Sequence, residues 1–164
     1  MKPARIFLVG FMCSGKSTVG KLLAEKLGYT FWDIDQVIEE REGKSIEEMF
    51  KSKGEEYFRS LEMKVLDEFL EKEGIVVSTG GGLGANPTAM EKMKSAGLVV
   101  WLDLDFETFL QRCAHQEGRP LLKRGFDYLR ALMEEREKVY SLAHIRLKAD
   151  KPPDVLVEGL LSQL

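Results

Sequence analysis

The sequence predicts an α/β fold in which a parallel sheet of five short strands is covered by helices on both faces. Two observations carry this expectation. Short apolar runs alternate along the chain with stretches of helical periodicity, which is the pattern of strand–helix–strand crossovers. The first apolar run also leads directly into Gly10-Phe11-Met12-Cys13-Ser14-Gly15-Lys16-Ser17, a full match to G-x-x-x-x-G-K-[ST] in its required setting after a strand and before a helix.

The elements follow in order. Ala4 to Val9 reads as a buried strand ended by Gly10. Lys16 to Leu27 carries Val19, Leu22, Leu23 and Leu27 at helical spacing, and Gly28 stops it. Thr30 to Ile34 is a second strand, and Gln36 to Phe50 holds one or two short helices broken near Gly43. Glu55 to Glu73 places Phe58, Leu61, Val65, Phe69 and Leu70 near one face of a long amphipathic helix. Ile75 to Thr79 is a third strand, running into Gly80-Gly81-Gly82. Pro87 opens a helix to about Ser95, Leu98 to Leu104 is a fourth strand, and Glu107 to His115 is helical. Gln116 to Gly125 is polar, contains Pro120 and lacks periodicity, so it is expected to be a mobile lid. Phe126 to Tyr140 is a helix, Ile145 to Leu147 a fifth strand and Val155 to Leu164 a last helix. With no repeat, linker or low-complexity segment, residues 1–164 are expected to form one domain. Ligands in such folds bind at the carboxyl ends of the strands.

Composition narrows the function. Apolar residues make up 44% of the 164 and charged residues 31%, an ordinary balance for a globular protein. A net charge of −3 gives no footprint for nucleic acid. No apolar run approaches the roughly 20 residues of a membrane span, and Met1 to Gly10 is too short for a signal peptide. The two cysteines, Cys13 and Cys113, have neither zinc spacing nor a disulfide framework, so a cytoplasmic location is expected. A Cys13–Cys113 bridge is compatible with the sequence but is not the favoured reading.

The glycine-rich loop carries the first chemistry. Successive backbone N–H groups wrap the phosphates, and the following helix points its positive end at the same anion. Lys16 reaches the β- and γ-phosphates, and the Ser17 hydroxyl is the expected Mg²⁺ ligand. The motif alone establishes nucleotide binding, not a reaction. The chain is too short for a large ATPase and lacks the N-K-x-D segment of a GTPase. A kinase acting on a small molecule with ATP is the class that remains.

The acceptor side is read from weaker signals. Asp33-Ile34-Asp35 closes the second strand, where alternation is expected to put both carboxylates on one face. Asp33 would hold Mg²⁺ through water, and Asp35 would accept a hydrogen bond from the attacking hydroxyl. Positive charge from Lys16 and Mg²⁺ is expected to keep Asp35 at a low pKa. Arg59 and Arg136 offer forks for a carboxylate, and Glu62 stands at i, i+3 from Arg59. Ser78 is placed to reach a Mg²⁺-bound water, and Gly80-Gly81-Gly82 would let a small ligand approach the backbone closely. Arg119, in Arg119-Pro120-Leu121-Leu122, would swing over the phosphates.

Together these residues resemble the shikimate kinase family over essentially the whole chain. The resemblance runs through the loop at Gly10 to Ser17, Asp33-x-Asp35, Phe58-Arg59-x-x-Glu62, the three glycines, Arg119-Pro120-Leu121-Leu122 and Arg136-x-x-x-Tyr140. It implies an adenylate-kinase-like P-loop fold, ATP and Mg²⁺ as partners, and phosphorylation of the shikimate 3-hydroxyl on the route to aromatic amino acids. It assigns Lys16, Asp35 and Arg119 to catalysis. It assigns Gly10, Cys13, Ser14, Gly15, Lys16, Ser17, Thr18 and Arg119 to ATP, with Arg112 and Pro152 flanking the adenine. Shikimate would meet Asp35, Phe50, Phe58, Arg59, Gly80, Gly81, Gly82 and Arg136, with residues 36–62 as the acceptor-binding helical region and Glu62 holding Arg59. A monomer is expected. Two departures stand out: Cys13 replaces the usual Gly or Ala, and Lys138-Val139 replaces the usual Pro-Leu. The alternatives are a gluconate-type kinase, which has no need for two arginines aimed at a ring carboxylate, and a catalytically silent nucleotide-binding module.

Overall fold

Five parallel strands form the sheet, in the order β2-β3-β1-β4-β5, in a computed structural model that describes residues 2–113 and 125–164. The strands are β1 (Arg5–Val9), β2 (Thr30–Asp33), β3 (Ile75–Ser78), β4 (Leu98–Asp103) and β5 (Ile145–Lys148). Around them run α1 (Lys16–Leu27), α2 (Ile34–Glu42), α3 (Ile46–Lys53), α4 (Glu55–Phe69), α5 (Gly81–Gly84), α6 (Pro87–Ala96), α7 (Phe106–Cys113), α8 (Phe126–Tyr140) and α9 (Pro153–Leu161). The expected lid segment, Arg119 included, lies outside the described residues apart from Gly125.

β1 is the centre of the sheet, and it is buried along all but its first residue. Ile6, Phe7, Leu8 and Val9 each have 0% exposure, as a strand covered on both faces requires. Burying them removes apolar surface worth about 1.5–3 kcal/mol for each large side chain. β1 is paired with β3 on one side and β4 on the other, and β2 lies beyond β3. The register aligns Leu8 with Ser78 and Ser78 with Asp33, so three neighbouring strands end level. That shared carboxyl edge is where the phosphate loop, Asp33 and the three glycines meet.

Several boundaries shift by a few residues from the sequence expectation, and one of them shapes the site. β2 stops at Asp33, and Ile34 begins α2 instead of ending the strand. The glycine run leads into a single helical turn, α5, at Gly81–Gly84, an element the sequence reading did not include. No helix among the described residues is long and apolar enough to cross a membrane.

Candidate active site

The phosphate loop leaves β1 and enters α1 at Gly15, which takes the N-cap position with φ 91°. Lys16 folds its ammonium group back onto the loop, with Nζ donating to the carbonyl oxygens of Gly10 at 2.7 Å and Phe11 at 3.1 Å. These bonds hold the charge over the concave side, where the loop N–H groups and the N-terminus of α1 also favour an anion. Phe11 fixes the start of the loop, its ring meeting Phe109 of α7 edge-on at 5.0 Å between centroids.

Asp33 performs two tasks with its two oxygens. Oδ1 accepts the N–H groups of Asp35 at 3.0 Å and Gln36 at 3.3 Å, capping α2. Oδ2 accepts the Ser17 hydroxyl at 2.9 Å. The expectation that Asp33 and Asp35 share one strand face is therefore wrong. A carboxylate that satisfies two orphan N–H donors starts a helix at the next residue, and this outweighs strand propensity at Ile34. Both carboxylates still line one cavity, Asp33 from the strand end and Asp35 from the first turn of α2. Ser78, 3% exposed, lines it from β3. The serine hydroxyls and the Asp33 carboxylate are hard oxygen donors of the kind that suit Mg²⁺.

The second correction concerns Asp35. Its pKa is raised to about 6, because burial and the neighbouring Asp33 outweigh the attraction of Lys16. Burial likewise lifts Glu62 to about 7, against the pull of Arg59. Asp35 Oδ1 and Glu62 Oε2 are buried without a hydrogen-bond partner among the described residues. These are acceptors on offer to an acceptor molecule's hydroxyl groups.

The three glycines each face a different charged group. A β-carbon at Gly80 would lie 2.9 Å from Asp35 Oδ1 and 3.1 Å from Glu62 Oε2. One at Gly81 would lie 3.0 Å from Arg136 Nη1, and one at Gly82 would collide with the Arg59 guanidinium. Side chains here would push all four charged groups apart, which is a physical reason for the run of glycines. Arg59 is held by Glu62, Nη1 donating to Oε1 at 2.7 Å, and by Glu55 at 3.3 Å. Its guanidinium also lies 5.5 Å from the centre of the Phe58 ring. Phe58 in turn meets Phe50 at 5.2 Å. Arg136 lies 5.8 Å from the Phe11 ring. So α4 and α8 deliver one arginine each to the same three-glycine turn.

Two functional residues were missed by sequence reasoning. Tyr140, fully buried, donates its hydroxyl to the Gly81 carbonyl. Thr79 donates to the Leu8 carbonyl at 2.8 Å. Both fix the glycine turn against its neighbours. For Tyr140 the signal was its i, i+4 spacing from Arg136 on α8, which puts both side chains on one face; for Thr79 the sequence held none.

A cavity of about 310 Å³ is lined by residues 12–18, Asp33, Asp35 and residues 78–81, whereas Gly82, Phe50, Phe58, Arg59 and Arg136 lie outside its lining. A larger groove of about 510 Å³ lies between Leu70 and α6, but it gathers only surface side chains such as Thr88 and Lys92. Arg112 and Pro152 are absent from the lining of the smaller cavity. Arg112 Nη2 donates instead to the Ala149 carbonyl at 2.8 Å, and Pro152 takes the N-cap position of α9. Against the favoured reading of two thiols, Cys13 and Cys113 are joined in a disulfide, with 6.1 Å between their Cα atoms. The pairing was hidden because 100 residues separate the two, and only the packing of α7 beside the loop brings them together.

This geometry agrees with what comparison with known proteins finds. The sequence profile of the family described as shikimate kinase matches residues 12–164. A shikimate kinase of Aquifex aeolicus is 53% identical over 160 residues, covering 98% of this chain and 95% of that protein. The crystal structure of the Aquifex aeolicus vf5 shikimate kinase superposes with a TM-score of 0.89, covering 96% of this chain and 94% of that one. A shikimate kinase from Acinetobacter baumannii, solved in complex with shikimate, is 36% identical with a TM-score of 0.92, covering 99% of this chain and 93% of that one. With a fold, a phosphate loop and a two-arginine turn that agree with a match running almost end to end, the chain belongs to the shikimate kinase family.

Proposed function

We propose that the protein transfers the γ-phosphoryl group of ATP to the 3-hydroxyl of shikimate, giving shikimate 3-phosphate and ADP, as a cytoplasmic monomer. The observation that carries this reading is the convergence of Arg59 and Arg136 on Gly82 and Gly81, in the turn whose Gly80 and Gly81 line one cavity with Asp35 and the phosphate loop. Two planar guanidinium groups suit a carboxylate, and the neighbouring carboxylates suit the hydroxyls of a polyhydroxylated ring.

Each residue then has a task. Residues 13–18 receive the phosphates, and Lys16 moves from the Gly10 and Phe11 carbonyls to the transferring group. Ser17, with Asp33 and Ser78 acting through water, would hold Mg²⁺, which would offset the charge of the phosphates. Arg59, fixed by Glu62, and Arg136 orient the acceptor carboxylate, while Phe50 and Phe58 support that wall. Asp35 aligns the hydroxyl with the γ-phosphorus. The hydroxyl oxygen forms its bond to phosphorus as the bond to the ADP oxygen breaks, and the hydroxyl proton passes to the Asp35 carboxylate. Arg112 and Pro152 flank the adenine.

Release of ADP with a panel of hydroxy acids tests the reading. Shikimate is expected to support turnover and gluconate is not; faster turnover with gluconate, or none with any acceptor, sinks it.

A further inference from the structure

Cys13 sits at the tip of the phosphate loop and, among the described residues, is the only non-glycine with a positive φ, 63°. A β-carbon is disfavoured there, so the conformation needs outside support. That support is the bond to Cys113, the last residue of α7, which is 0% exposed. One turn earlier on α7, Phe109 packs against Phe11. The loop is thus tied to one helix face at two points, its base by ring packing and its tip by a covalent bond. Breaking the bond removes the covalent tie at the tip and leaves the ring packing at the base.

We propose that the Cys13–Cys113 disulfide is a redox latch on the phosphate loop: closed, it holds the tip in the shape that receives phosphates; opened by a dithiol, it lets the tip relax and nucleotide affinity fall. Cys13 is the half-buried partner, so an incoming thiolate attacks its sulfur and Cys113 departs as thiolate. The second thiol of the reductant then resolves the mixed disulfide. Two electrons and two protons pass to the protein, leaving two Cys thiols and one oxidised dithiol.

The proposal rests on the nucleotide-binding reading above, and calorimetry with a non-hydrolysable ATP analogue separates the two. The oxidised protein is expected to bind, and the dithiothreitol-reduced protein and Cys113→Ser to bind about tenfold more weakly, the scale set by the left-handed penalty. Cys13→Gly, which forms no bridge and suits a positive φ, is expected to show the same affinity before and after reductant. Binding by neither redox form refutes nucleotide binding itself. Equal affinity in both forms, with two thiols titrated after reduction, overturns the latch. So does global unfolding on reduction, seen by circular dichroism, because the bridge is then a structural staple.

Discussion

The Ser17 hydroxyl donates to Asp33 Oδ2 at 2.9 Å, while the other oxygen of the same carboxylate caps α2. One aspartate therefore joins the proposed cation site to the start of the helix that carries Asp35. Asparagine is also a good helix cap, so Asp33→Asn keeps the cap and removes the charge. We predict that it raises the Mg²⁺ concentration for half-maximal activity by about 10- to 100-fold, the range for outer-shell changes at metal sites. Its melting temperature should stay near that of the parent. Asp33→Ala should show the same cation defect and also lose about 1 kcal/mol of stability with the cap. An unchanged Mg²⁺ requirement in both variants refutes the placement of the ion.

In the proposed reaction Lys16 supplies the cation nearest the transferring group; its ammonium donates to the Gly10 and Phe11 carbonyls. Removing one preorganised charge should cost on the order of 10²-fold or more in kcat. Lys16→Ala is predicted to fold normally and to be nearly inactive. A folded variant with near-normal turnover contradicts the phosphoryl-transfer assignment.

Arg59 and Arg136 reach Gly82 and Gly81 from different helices, and in the proposed reaction they act together on the acceptor and not on the nucleotide. Arg59→Lys and Arg136→Lys should each raise KM for shikimate strongly, because one ammonium cannot reproduce a two-pronged fork. Calorimetry should find ATP affinity nearly unchanged. Weakened ATP binding with normal shikimate binding would reverse the assignment.

Much of this was legible in the sequence where local rules act alone. The α1 boundaries follow from Gly15 and Gly28, and the phosphate loop from its spacing. The β2–α2 junction was misread because alternation was applied across Asp33, a residue whose side chain ends the strand by capping the next helix. The raised pKa of Asp35 was missed because the charges near it are visible in sequence, whereas the depth of burial that dominates them is a property of the packed fold. The Cys13–Cys113 bond required knowing that α7 lies beside the loop.

Glu62 gives the fold a pH dependence. Its carboxyl titrates near 7 in the folded protein, against 4.5 for an unperturbed glutamate. Between these values the folded chain keeps a proton that the unfolded chain has lost, so this group makes stability fall as pH rises from about 4.5 to about 7. Glu62→Gln removes that component. Urea midpoints measured at pH 5 and pH 7.5 should drop more in the parent than in the variant. Equal drops would show that Glu62 does not titrate in this range.

Asp35 is the residue whose role depends most on the corrected pKa. Phosphoryl transfer is loose, so the attacking hydroxyl needs placing more than early deprotonation. A carboxylate near 6 is still ionised at neutral pH, and it is a better proton acceptor than one at its ordinary value. Because its Oδ1 has no hydrogen-bond partner among the described residues, that oxygen is available to the hydroxyl. Asp35→Asn keeps the shape and one acceptor oxygen while removing the charge. We predict a large fall in kcat, with shikimate binding reduced less than in Asp35→Ala. The profile of kcat/KM against pH should show an acid limb near 6 in the parent, below which protonated Asp35 cannot accept the proton, and the variant should lack that limb. A variant with near-normal kcat and only a raised KM would make Asp35 a binding residue alone. An acid limb that persists in the variant would assign that titration to another group.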